Sequence, residues 1–133
     1  MELSGHCLCG AIHYKANVEN PVAAVCHCTH CQRQSGSVLS LVVVAPAAAL
    51  QWTGVPARYD DSADSGATVV RHFCQRCGSP LVSISTATPD IAYVKAGTLD
   101  QLADLTPVME VWRQSAVSWL KIDPPVPGQD RQG

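Results

Sequence analysis

Cys74-Gln75-Arg76-Cys77-Gly78 is a C-x-x-C pair followed at once by a glycine. That spacing lets two thiolates turn onto one metal ion, and glycine frees the backbone for the tight turn. Alone, the pair is ambiguous between metal and redox chemistry. Far upstream, Cys7-Leu8-Cys9 sets two cysteines two positions apart. On an extended segment both side chains point to one face. Two thiolates from a strand and two from a C-x-x-C turn complete a closed tetrahedral set, the usual form of a structural zinc. Built on Cys7, Cys9, Cys74 and Cys77, such a site ties the start of the chain to a segment past its middle and closes a long loop.

The third group is Cys26-His27-Cys28-Thr29-His30-Cys31. Cys26 and Cys28 share a strand face, and Cys28 and Cys31 have knuckle spacing at the start of a turn. Three protein ligands plus a free position is the pattern of a catalytic or ligand-binding zinc. The seven cysteines therefore divide into four and three, and two zinc ions per chain are expected. Other readings compete at the trio. His30, beside Cys31 in the turn, could close the site, whereas His27 should face away from Cys26 and Cys28 on a regular strand. Either histidine could instead orient the ligands. A C-x-C-x-x-C run could also cycle through disulfides without metal.

Composition narrows the setting. In 133 residues, 47% are hydrophobic and 15% charged, which suits one compact globular core. An odd cysteine count and an N-terminus, MELSGHCLCG, without a basic start or an apolar stretch argue against export and a disulfide framework. A cytoplasmic protein is expected. The longest apolar run, residues 38–50, is broken by Ser40 and Pro46 and falls short of the ~20 residues of a spanning helix. A formal charge of −2 offers no electrostatic case for a nucleic-acid partner.

Short β-branched segments bounded by Gly, Pro, Asp, Asn or Ser recur along the chain, the pattern of an antiparallel, mostly β domain. Candidate strands cover residues 11–16, 23–27, 38–44, 50–53, 67–73, 81–85, 91–96, 108–112 and 119–122. Helical turns are expected at 29–34 and at 99–105, with Asp100 as a cap for the second. Residues 58–66, RYDDSADSG, read as a solvated hairpin connection. One zinc-binding domain over residues 1–123 is expected, with 124–133 a flexible tail.

The chain resembles the glutathione-dependent formaldehyde-activating enzyme family, which also includes centromere protein V. The resemblance rests on GHCLCGAI at 5–12, CHCTHCQRQSG at 26–36, FCQRCGSPL at 73–81 and YVKAGTLD at 93–100. It implies a β-tent fold of several short antiparallel sheets around a structural zinc at Cys7, Cys9, Cys74 and Cys77. It also implies a catalytic zinc at Cys26, Cys28 and Cys31. The activity implied is carbon–sulfur lyase or synthase chemistry on adducts of a small aldehyde with a thiol such as glutathione, formaldehyde and S-(hydroxymethyl)glutathione being the family's named pair. Many relatives carry a histidine near position 110. Here Glu110-Val111-Trp112 stands instead and reads as core strand without a catalytic role.

On this reading a zinc-bound thiol would be held deprotonated and would need donors nearby, of which Arg33, His27 and His30 are the closest in sequence. Arg58, Arg71 and Lys95 are further basic residues that sequence alone does not rank. A methionine sulfoxide reductase, which shares the implied fold, would need a redox cysteine outside the metal ligands, and four plus three leaves none. A non-catalytic zinc module for protein interaction is the alternative from another class.

Overall fold

The computed structural model describes residues 1–131. Ten strands and one helix follow in chain order among them: β1 (Glu2–His6), β2 (His13–Asn17), β3 (Val22–Cys26), α1 (Thr29–Ser35), β4 (Ser40–Pro46), β5 (Gln51–Thr53), β6 (Ala57–Ser62), β7 (Thr68–Phe73), β8 (Pro80–Ser85), β9 (Ile91–Lys95) and β10 (Pro107–Val111). Short 3-10 turns lie at Ala47–Ala49, Ala96–Thr98, Leu102–Asp104 and Arg113–Ser115. The mostly β architecture read from the sequence is therefore the one the chain adopts.

Two sheets form, a three-stranded one in the order β1-β2-β5 and a seven-stranded one in the order β10-β3-β4-β9-β8-β7-β6. Neighbours run antiparallel except β10 and β3, which are parallel. One face of the large sheet is apolar: Ala23 opposes Val43, Val43 opposes Val94, and Val94 opposes Val82. That face shares a core with Leu3, Tyr14 and Ala16 of the small sheet. Leu3, Leu81, Val43, Val82 and Val94 are all at most 1% exposed. At roughly 2 kcal/mol per fully buried aliphatic side chain, this interior is the main favourable contribution to folding.

The opposite face is polar, and register explains why. Cys26 opposes Ser40, Val42 opposes Lys95, Ser83 opposes both Tyr93 and Arg71, and Arg71 opposes Tyr59. Because side chains alternate along each strand, Cys26, Ser40, Lys95, Ser83, Arg71 and Asp61 all project to one side, one per strand from β3 to β6. Ser40, Ser83, Arg71 and Lys95 are each at most 5% exposed there.

Several sequence expectations need correction. β1 is a strand that the residue pattern hides, because its second inward position is Gly5 and a glycine breaks the apolar alternation. Residues 58–62 belong to edge strand β6 rather than to a hairpin connection; the connection itself is residues 63–67, where Ala63 N–H bonds Ala67 O. Residues 119–122 form no strand. The outer edge of β10, where such a strand would pair, is taken by residues 127–129: Glu110 N–H donates to Pro127 O, and Gln129 N–H donates to Glu110 O. The turn expected over 99–105 shrinks to a 3-10 turn at Leu102–Asp104. Asp100 does not cap it, because Asp100 Oδ2 instead accepts from Ser4 Oγ at 2.8 Å. Residues 132–133 of the expected tail lie outside the described residues.

Candidate functional site

The first cysteine cluster stands where the two sheets meet. Cys7 and Cys9 lie in the turn after β1, and Cys74 and Cys77 in the turn between β7 and β8. Cys7 N–H bonds Ile12 O and Gly10 N–H bonds Cys7 O, which curls the first turn. In the second, Gly78 adopts φ 81° and its N–H donates to Cys74 O at 2.7 Å, a conformation that favours glycine. The four sulfurs lie within 4.8 Å of one another, with Cys7–Cys9 at 3.7 Å and Cys9–Cys74 at 3.8 Å. Zinc–sulfur bonds in a regular tetrahedron imply edges of about 3.8 Å, so the spacing fits such an ion. Two hydrogen bonds already favour thiolates: Ile12 N–H reaches Cys7 Sγ at 3.3 Å, and the Ser79 hydroxyl beside Cys77 holds its pKa down to about 5.

The second cluster joins the end of β3 to α1. Cys26 closes the strand, Cys28 is the N-cap of the helix, and Cys31 is buried in its first turn. Cys31 N–H donates to Cys28 Sγ at 3.1 Å, so the cap that starts the helix is itself a cluster sulfur. The three sulfurs lie within 4.8 Å, and among the described residues no fourth His, Cys, Asp or Glu donor joins them.

Both histidines are engaged elsewhere. His27, 3% exposed, turns away from the sulfurs and donates from Nε2 to Glu110 Oε1 at 2.7 Å. His30 donates from Nδ1 to both oxygens of Asp61, at 2.9 and 3.0 Å. Glu110, read as plain core strand, thus fixes the segment between two cluster cysteines, and it also accepts from Arg113 at 3.1 Å.

Cations line the back of this cluster. Arg71 donates to Asp61 Oδ2 at 3.0 Å and Ser83 Oγ at 3.2 Å, and its Nη1 lies 3.9 Å from Cys31 Sγ. Burial opposes the charge on Arg71, yet Cys31 and Asp61 beside it hold the guanidinium above its ordinary range. Hydrogen bonds from Cys26 and Cys28, with Lys95 and Arg71 nearby, hold the Cys31 thiol well below its ordinary range. Hydrogen bonds with Cys28 and Cys31 push the Cys26 thiol up. Asp61 resists burial because His30 and Arg71 hold its carboxyl below the usual range.

Beside the cluster, between α1 and the β6–β7 pair, lies a cleft of about 390 Å³ lined by Thr29, His30, Arg33, Tyr59, Asp61 and Arg71. The structure thereby ranks the basic residues that the sequence left scattered. Arg58 pairs with Asp60 on the surface, Arg71 is committed to Asp61, and Lys95 is buried on β9. Among the described residues Arg33 is the cleft cation that has no carboxylate partner. The sequence reading named Arg71 and Lys95 without ranking them and missed Asp61 and Ser40; the one signal for the two cations was a charge following apolar strand residues, as in Val69-Val70-Arg71 and Tyr93-Val94-Lys95.

Both clusters could hold a metal ion, and all-sulfur donor sets at this spacing suit zinc. No helix among the described residues is long and apolar enough to cross a membrane.

Known proteins bear on the same residues. An uncharacterized lyase of Schizosaccharomyces pombe is 28% identical over 109 residues, covering 79% of this chain and 74% of its own. The crystal structure of a Rhodobacter sphaeroides protein, 22% identical, has a TM-score of 0.59 over 73% of this chain and 87% of that one, a likeness of fold. The family model described as glutathione-dependent formaldehyde-activating enzyme matches residues 2–115, a span that contains all seven cysteines, and the chain belongs to that lyase-type family.

Proposed function

We propose that the chain is a zinc-dependent carbon–sulfur lyase or synthase acting on adducts of a small aldehyde with a glutathione-type thiol. Cys7, Cys9, Cys74 and Cys77 would hold a structural zinc, and Cys26, Cys28 and Cys31 a catalytic one. The observation that carries the reading is a three-sulfur cluster with no fourth donor among the described residues, next to a cleft that carries His30, Arg33, Asp61 and Arg71. A zinc ion held there would supply a Lewis-acid position at which a thiol is deprotonated near neutral pH.

The reaction forms one bond between the thiol sulfur and the aldehyde carbon, while the thiol proton moves to the carbonyl oxygen; the reverse breaks that bond. Asp61 accepts from His30 Nδ1, which leaves Nε2 as the free acceptor on a side chain 43% exposed at the cleft. His30 Nε2 can therefore take the thiol proton and return it to the forming hydroxyl. Arg33, at the cleft wall, would hold a carboxylate of the thiol. Positioning supplies most of the advantage over the uncatalysed addition.

The test is the rate of S-(hydroxymethyl)glutathione formation from glutathione and formaldehyde, measured against the uncatalysed background. A saturable rate above background, abolished in a folded Cys28→Ser chain that keeps one zinc, is expected. Equal turnover in Cys28→Ser would sink the catalytic assignment, and background rates throughout would leave a zinc-binding interaction module.

A further inference from the structure

Lys95, on β9, is 5% exposed. Taking an ammonium out of water costs several kcal/mol unless an opposite charge faces it. Its Nζ donates to Ser40 Oγ at 2.9 Å, but a hydroxyl carries no charge. Among the described residues no carboxylate pairs with Lys95. The ionisable groups near enough to act on its charge are Cys31, Arg71, Cys26 and Cys28. Of these Arg71 is a cation already bound to Asp61.

Geometry places the counter-charge. Ser40 stands directly opposite Cys26 on β3, and Val42, two residues on, stands directly opposite Lys95. The lysine thus reaches diagonally across β4, on the polar face of the sheet, toward the strand end that carries the trio.

Resting on the three-cysteine reading above, we infer that Lys95 is the buried counter-ion of that cluster. It is a positioning residue that acts through the sulfurs and touches no substrate. Three thiolates on a divalent ion carry one net negative charge, and one ammonium balances it. The neutral unit can then accept a further anionic sulfur, where an uncompensated one would repel it. The same arrangement explains a lysine in the middle of a sheet, where an apolar residue would be the default.

The experiment uses the full chain loaded with zinc, with release of each ion followed under competition by a chelator. Lys95→Met keeps length and volume while removing the charge. It is expected to weaken the second zinc by about tenfold or more while the four-cysteine zinc holds as before. Lys95→Arg, which keeps the charge, restores most of that loss. The metal-free Lys95→Met chain should be as stable as the parent or more so, since an apolar side chain replaces a buried ion. If Lys95→Met loses both zincs, it has not folded, and Lys95→Gln, which retains a donor for Ser40 Oγ, is read by the same criteria. Two zincs held with parental affinity in the uncharged variant would overturn this role for Lys95 alone. A parent chain that takes up a single zinc would overturn the three-cysteine reading and this inference with it.

Discussion

Arg71 follows two valines in the strand Thr68–Phe73 and is buried where they are only half-buried. Its three partners, Asp61, Ser83 and Cys31, come from β6, β8 and α1. Arg71→Met should therefore lower unfolding stability by about 3 kcal/mol in urea titration, because Asp61 loses its main cation while remaining mostly buried. Arg33 behaves differently, being exposed and without a carboxylate partner among the described residues. Arg33→Ala should raise KM for glutathione severalfold and leave kcat and the urea midpoint near parental values. A thiol without carboxylates, such as 2-mercaptoethanol, should show no such change. Asp61 and Glu110 set the acid side of stability. Burial works against their charge, but their partners, His30 and Arg71 for one and His27 and Arg113 for the other, hold both carboxyls below the ordinary range. The unfolded chain then binds more protons than the folded one between those values and the usual carboxylate pKa. Stability from these groups is complete above that ordinary value and is lost as pH falls through the depressed folded values. Asp61→Asn and Glu110→Gln together should flatten the acid limb of a thermal-midpoint series.

At the scale of elements, β1 depends on an absent side chain. A Cβ on Gly5 would strike the Thr98 carbonyl oxygen and the Tyr14 ring, because β1 bridges to Leu99 there. Gly5→Ala should cost about 3 kcal/mol by displacing the 3-10 turn at Ala96–Thr98, and the thermal midpoint reads the loss. That glycine is also why the strand was not legible in the sequence. β2, β3, β4, β7, β8 and β9 were legible, for each carries β-branched or alanine residues in short runs ended by turn formers. β6 was not, since an edge strand polar on both sides has the composition of a loop. The helix start was legible because Cys28 caps it within the C-x-x-C knuckle itself. Local spacing likewise grouped the seven cysteines as the structure groups them. The Lys95–Ser40, Arg71–Asp61 and His27–Glu110 contacts were beyond reach, because each depends on strand order or register that no local pattern encodes.

Across the whole molecule, the two clusters occupy unlike positions, and that difference predicts unlike consequences of metal removal. Cys9 and Cys74 are 65 positions apart and come from turns attached to different sheets. A zinc there would close a long loop and fasten the small sheet to the large one, so its binding energy is folding energy. Cys26, Cys28 and Cys31 are local, spanning the join between β3 and α1, and β3 is paired with β4 and β10 through backbone hydrogen bonds that do not involve the sulfurs. Chelation should then proceed in two steps. The first zinc should leave with far-UV and near-UV circular dichroism intact, and thiol-adduct turnover should vanish with it. The second should leave only as the near-UV signal collapses, since Tyr14 and Trp52, packed 5.8 Å apart in the small sheet, report the contact between the sheets. Cys74→Ser should reproduce the second step and Cys28→Ser the first. A single cooperative step in which both ions and the near-UV signal disappear together would mean that the trio also supports the fold. A chain keeping its near-UV signal after both ions are gone would show that the apolar interface alone holds the sheets together.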